Sequence, residues 1–146
     1  MADSVKTKLI AKLLDICQPL VTNQVVRHLE RKHALFLTEA VKPALHVVIG
    51  DEKVLYQDER GYNMQFPVAF QIIFDENRDP EARSDAFEAF LQTNIEADEQ
   101  LGGLASKITY NGAAPFVLEE LKPVALTVVM YLVEYRRYKA APNLGY

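Results

Sequence analysis

The sequence predicts an α+β fold, a mainly antiparallel sheet of four to five strands with a long β-hairpin and two helices packed on one face. Three observations carry that expectation. A helical apolar rhythm runs from Val5 to Leu20, Phe66, Val68, Phe70, Ile72 and Phe74 alternate strictly, and a second helical stripe at residues 87–95 precedes two more apolar runs. The resulting order is helix, possible strand, strand hairpin, helix, strand, strand, which suits helices layered on one sheet.

Taken in order, Val5, Leu9, Leu13, Ile16 or Cys17, and Leu20 form one helical face. Asp3 or Ser4 can cap its first turn, and Pro19, which lacks an N–H, should end or bend it. The next stretch stays open: Val25, Leu29 and His33 suit a helix, whereas Val25, Arg27, Leu29 and Arg31 suit a strand. After Pro43, Ala44 to Ile49 reads as a strand closed by Gly50-Asp51. Asp58, Glu59, Arg60 and Gly61 form a polar turn between Val54–Gln57 and Tyr62–Phe74, which pair as the long hairpin. Pro67 cannot donate to a ladder and is expected at an edge or beyond the sheet proper.

Asp79-Pro80 starts the second helix, with Asp79 accepting from orphan N–H groups and Pro80 already at helical φ. Phe87, Phe90, Leu91 and Ile95 make its apolar stripe. It should stop between Ala97 and Gly102, where Gly102-Gly103 lets the chain reverse. Ser106 to Tyr110 is a short strand running into a loop at Asn111–Pro115, and Val124 to Val133, apolar on both faces, is a covered central strand. One domain is expected over residues 1–138, with a C-terminal extension over 139–146 that contains Pro142 and Gly145.

The 146 residues, 49% hydrophobic and 25% charged, suffice for a core that buries roughly two-thirds of the unfolded surface without disulfide or metal. A formal charge of -4 and a pI near 5.4 disfavour a dedicated nucleic-acid binder. The single cysteine, Cys17, has no internal partner and fits a reducing cytoplasm. No signal-peptide pattern opens the chain, and its uncharged stretches, Pro123 to Val133 among them, fall well short of the roughly 20 residues of a membrane helix. A soluble protein is expected.

Candidate chemistry is sparse. Cys17 shares the face of Leu9, Leu13 and Leu20 and reads as core. His28, His33 and His46 lack the spacing of a helical zinc pair. Asp75, Asn77 and Asp79 open like a calcium loop, but Pro80 replaces its glycine and Ala86 its bidentate glutamate. Gly102-Gly103 lacks the lysine of a phosphate loop, and Asp98-Glu99 is an exposed helix end. No catalytic residue, metal or cofactor is assigned, and an enzyme is not expected. The most distinctive surface feature is Tyr135, Arg136, Arg137, Tyr138 and Lys139, whose rings and cations suit a protein interface, with nearby DNA as a second use.

Several segments together resemble phage tail terminators and related tail-completion proteins. They are Pro43-Ala44-Leu45-His46-Val47-Val48-Ile49-Gly50-Asp51-Glu52, the strand ending Ile72-Ile73-Phe74, the Asp79-Pro80 helix, Asp98-Glu99-Gln100-Leu101-Gly102-Gly103-Leu104-Ala105, and the strand ending Val133-Glu134-Tyr135-Arg136. The resemblance covers roughly residues 40 to 138 and lies in their joint order. It implies a ring-forming structural virion protein, a homohexamer at the tail–neck junction, assembled in the host cytoplasm. The ring would cap the tail tube, stop its growth and offer a surface to the head-side connector, with the sheath as a further contact where a tail has one. DNA would pass its lumen without sequence-specific binding, which an acidic chain suits. The contact elements would be the hairpin tip at Asp58, Glu59 and Arg60 and the arm at Tyr135, Arg136, Arg137 and Tyr138. The alternatives are another neck or head-closure component, or a small cellular ligand-binding α+β module with a concave apolar pocket and no ring.

Overall fold

The architecture is taken from a computed structural model that describes residues 4–23, 25–32, 43–74, 80–98, 100–118 and 124–139. The elements run α1 (Val5–Thr22), β1 (His28–Lys32), β2 (Ala44–Ile49), β3 (Lys53–Gln57), β4 (Gly61–Ile73), α2 (Pro80–Glu96), β5 (Lys107–Leu118) and β6 (Val124–Tyr138). They form an α+β fold with a six-stranded, mostly antiparallel sheet in the order β1-β2-β4-β6-β5, β3 pairing with β4 off that path. The sixth strand corrects the expected four to five. It is β1, the ambiguous stretch, which pairs parallel to β2 from His28↔Ala44 to Lys32↔Val48.

Ser4 caps α1, its side chain accepting from the Thr7 N–H at 3.2 Å. Pro19 does not end this helix. It lies within the last turns, where its missing N–H removes a single bond, and Leu20 behind it is buried at 5% exposure. The apolar face chosen from the sequence is the buried one, with Cys17 rather than Ile16 at the seam.

β4 carries the fold. Met64, Phe66, Val68, Phe70 and Ile72 face a core built with Leu45 and Val47 of β2 and Val129, Tyr131, Val133 and Tyr135 of β6. Leu9 and Leu13 of α1 and Phe87, Leu91 and Ile95 of α2 join the same cluster, so both helices lie on one face of the sheet. Phe70 meets Tyr131 edge to face at 6.1 Å, a favoured geometry for aromatic quadrupoles. The opposite face has its own small buried set at one end, where Ile73 and Val128 pack together and His46 Nδ1 lies 3.4 Å from Gln71 Oε1.

Pro67 sits inside β4, opposite Leu132 of β6, and not at an edge. Its position explains the tolerance: β2 pairs with β4 as far as Ile49↔Val68, and β3 takes over at Lys53↔Gln65. At this changeover the ladder needs no N–H from residue 67, whose carbonyl still accepts from Gly50 at 2.8 Å. The β3–β4 ladder itself is short, with a one-residue bulge between Val54 and Tyr56. The expected loop at Asn111–Pro115 is also corrected. β5 runs through it, and the Asn111-Gly112 pair is absorbed as a bulge with Gly112 at φ 104°.

After α2 the chain reverses through Leu101, Gly102 and Gly103 at φ 46°, 71° and 88°. Leu101 accepts the left-handed conformation, which costs about 1–2 kcal/mol, as its side chain enters the core at 3% exposure. The Gly102 N–H donates to Asp98 Oδ2 at 2.8 Å. His33, Asp75, Asn77, Asp79, Glu99 and residues 140–146, which include most of the expected extension, lie outside the described residues.

Candidate functional site

The two contact elements picked separately from the sequence meet at one corner of the sheet. Gly61 pairs with Tyr138, Tyr62 with Arg137 and Asn63 with Arg136, so the β3–β4 hairpin lies against the end of β6. Asp58 organises the tip. Its Oδ1 accepts from the N–H groups of Arg60 at 2.8 Å and Gly61 at 3.0 Å, and its own N–H donates to the Gly61 carbonyl at 3.0 Å. Arg136 then locks that turn to β6, donating from Nη2 to Asp58 Oδ1 at 2.6 Å and from Nη1 to Asn63 Oδ1 at 3.1 Å. The guanidinium bond, followed by the Arg60 N–H, holds the Asp58 carboxyl below its ordinary 3.8, at about 2.

Strand alternation splits the aromatic-basic run between two faces. Tyr135 points into the helix-side core at 3% exposure, edge-on to Phe66, and its hydroxyl donates to Glu52. Burial first, and then that carboxylate, push its phenol upward. Glu52 also pairs with Lys6 at 3.9 Å, tying the start of α1 to the β2–β3 connection. Arg136, at 8% exposure, lies on the other face with Tyr138, over whose ring it sits at 5.6 Å. Of the seven candidates, Glu59, Arg60 and Arg137 are exposed, Asp58 and Tyr138 are half-buried, and Tyr135 and Arg136 are already committed inside the chain.

Two features of the surface escaped the sequence reading. The first is β3, all five residues of which are exposed, with Val54 at 51%, Leu55 at 43% and Tyr56 at 58%. Its composition is that of any short strand; only the topology makes it an edge. The second is a cleft of about 310 Å³ between the end of α1, the end of β4 and α2, lined by Leu20, Val25, Phe74, Phe87 and Phe90 with Arg83 as its cation. The Arg83 guanidinium lies 4.2 Å from the Phe74 ring centroid, a cation–π contact that fixes it on the cleft wall.

Cys17 has no exposure and burial pushes its thiol up to about 12, the opposite of an activated nucleophile. The Tyr110 hydroxyl donates to Glu88, whose carboxylate raises the phenol to about 12. Among the described residues no three His, Cys, Asp or Glu side chains cluster as metal ligands. No helix there is long and apolar enough to cross a membrane. No protein-family model matches the chain, and no curated protein matches it either.

Proposed function

We propose that the chain is a ring-forming structural protein of a phage tail, a tail terminator that caps the tail tube and joins it to the head-side connector. Beyond the ordered segments from Pro43 to Arg136, the reading rests on one observation. The two edges of the described sheet are unlike, one formed by β1 on β2 and by β3 on β4, the other by β5, with both helices on one face. Unlike edges suit head-to-tail association, which closes into a ring when the rotation between neighbours divides a full turn. The exposed Glu59, Arg60 and Arg137 at the hairpin corner are the surfaces assigned to tube or connector.

Light scattering of the purified chain across concentration, with negative-stain imaging alone and with purified tail tubes, tests this. Hexameric rings, free or on tube ends, are the expected result. A chain that stays monomeric and leaves tubes uncapped overturns the reading. Rings that bind tail-less heads and ignore tubes move the protein to the head side of the neck.

The cleft between α1, β4 and α2 favours a second reading, a ligand-binding module, since apolar walls with one fixed cation are a common site design. Titration with aromatic and aliphatic carboxylates, read by thermal shift, tests it. Saturable stabilisation lost in Arg83→Gln supports this reading, and no shift up to millimolar ligand removes it.

A further inference from the structure

Resting on the proposed ring, we infer that subunits join edge to edge: the free edge of β3 pairs with the free edge of β5 in a second copy. The first support is the state of β3. Among the described residues five large apolar side chains are exposed, and three of them, Val54, Leu55 and Tyr56, are consecutive on this strand. Edge strands that stay single are protected by charges, proline, short length or a bulge; β3 is short and bulged at Val54–Tyr56, but its one charge is Lys53 at its start and its three apolar side chains remain exposed.

The shape of the sheet supplies the second. Along one side of β4, β2 is flanked by β1, but β3 has no described strand outside it. The edge is therefore stepped, and the step is one strand wide. At the far side β5 pairs with β6 and with no other described strand, and its Asn111, Gly112 and Ala113 are exposed.

Phase and size argue for a second copy as the occupant. Val54 stands opposite Met64 on the helix face and Tyr56 opposite Asn63 on the other; on β5, Ile108 and Tyr110 take the helix face and Thr109 the other. A joined sheet thus sets apolar Val54 beside Ile108 or Tyr110. A five-residue edge covers far less than the roughly 800 Å² per partner of a stable two-body interface. One such contact is too small to hold a pair, but in a ring every copy uses both edges, and closure makes the contacts mutually supporting. β3 pairing with itself would be two-fold and would stop at a dimer.

Cysteine cross-linking of the full chain tests the pairing, since Cys17 is fully buried and does not compete. Tyr56→Cys combined with Thr109→Cys, oxidised with copper phenanthroline, should give a ladder of covalent multimers, with each single variant remaining monomeric. Dimers from Tyr56→Cys alone, or no ladder, overturn the edge pairing. In parallel, Val54→Lys with Tyr56→Lys should lower ring yield at least tenfold with an unchanged unfolding transition. If this variant still forms rings, edge pairing fails and the ring reading survives. If the unsubstituted chain forms no ring, alone or on tail tubes, both fall.

Discussion

At the C-terminal end of β4, Phe70, Ile72 and Ile73 lie between β2 and β6 with exposures of 1% or less, and His46 and Gln71 are buried beside them. At the N-terminal end of the same strand, Tyr62 to Gln65 lie beside β3, all of whose residues are exposed, and the corner is held by Asp58, Asn63 and Arg136. One thirteen-residue strand is thus secured in two ways. Burial of apolar area stabilises the first end. At the second, directed, charge-assisted bonds are added to the burial of Met64 and Tyr135, and apolar side chains are left over on its edge.

The largest effect should come from cutting into the buried end. Phe70→Ala removes a fully buried ring that meets Tyr131 and leaves a cavity, so urea unfolding should show a loss of about 3–5 kcal/mol. A loss under about 1 kcal/mol would mean that this end collapses around the gap and is not close-packed. At the other end, Gly61 is the vulnerable point for a different reason. A Cβ there would collide with the Arg137 carbonyl, which belongs to backbone and cannot swing aside. Gly61→Ala should cost about 1–3 kcal/mol, the range for overpacking, and should loosen the β4–β6 ladder at Gly61↔Tyr138 first. Hydrogen exchange at Tyr62 and Arg137 reads that local opening.

The polar corner should also respond to acid. The folded Asp58 carboxyl, at about 2, lies below its ordinary 3.8. A depressed carboxylate contributes stability in full above its unfolded value and loses it as pH falls through the folded one. Protection of the Gly61 N–H should therefore hold above pH 4 and decline from there towards pH 2, and Asp58→Asn should abolish that dependence. A native Asp58 titrating at 3.8 by NMR would show the Arg136 bond to be without effect in solution.

The same contrast explains what could be read from the chain beforehand. The faces of α1 and α2 and the alternation of β4 were legible because each is a local pattern backed by burial: Leu9, Leu13, Phe87, Leu91, Phe66 and Phe70 are all in the core. Rules about single residues did less well. Pro19 and Pro67 are both tolerated, since the bond each forfeits falls in a last turn or at the changeover from β2 to β3. Asn111-Gly112 became a bulge as β6 continues beside it. The parallel β1–β2 pair and the Arg136–Asp58 lock depend on partners distant in sequence, 78 residues apart for the latter, which periodicity does not encode. For the same reason the Tyr135–Tyr138 run looked like one surface until the strand divided it between two faces.

The smallest expected effect is the one that separates folding from association. Tyr56 is 58% exposed and Val54 51%, so truncating either in the isolated chain removes little buried area. Tyr56→Ala and Val54→Ala should each shift unfolding by less than about 0.5 kcal/mol at concentrations where the chain is monomeric. At concentrations where it assembles, the same substitutions should lower the stability of the oligomer, because only there do these side chains lose water. A cost above about 2 kcal/mol in the monomer would mean that β3 is already covered within its own chain, and the contrast between the two ends of β4 would disappear. Concentration-dependent loss alone would assign the exposed apolar residues of β3 to a neighbour.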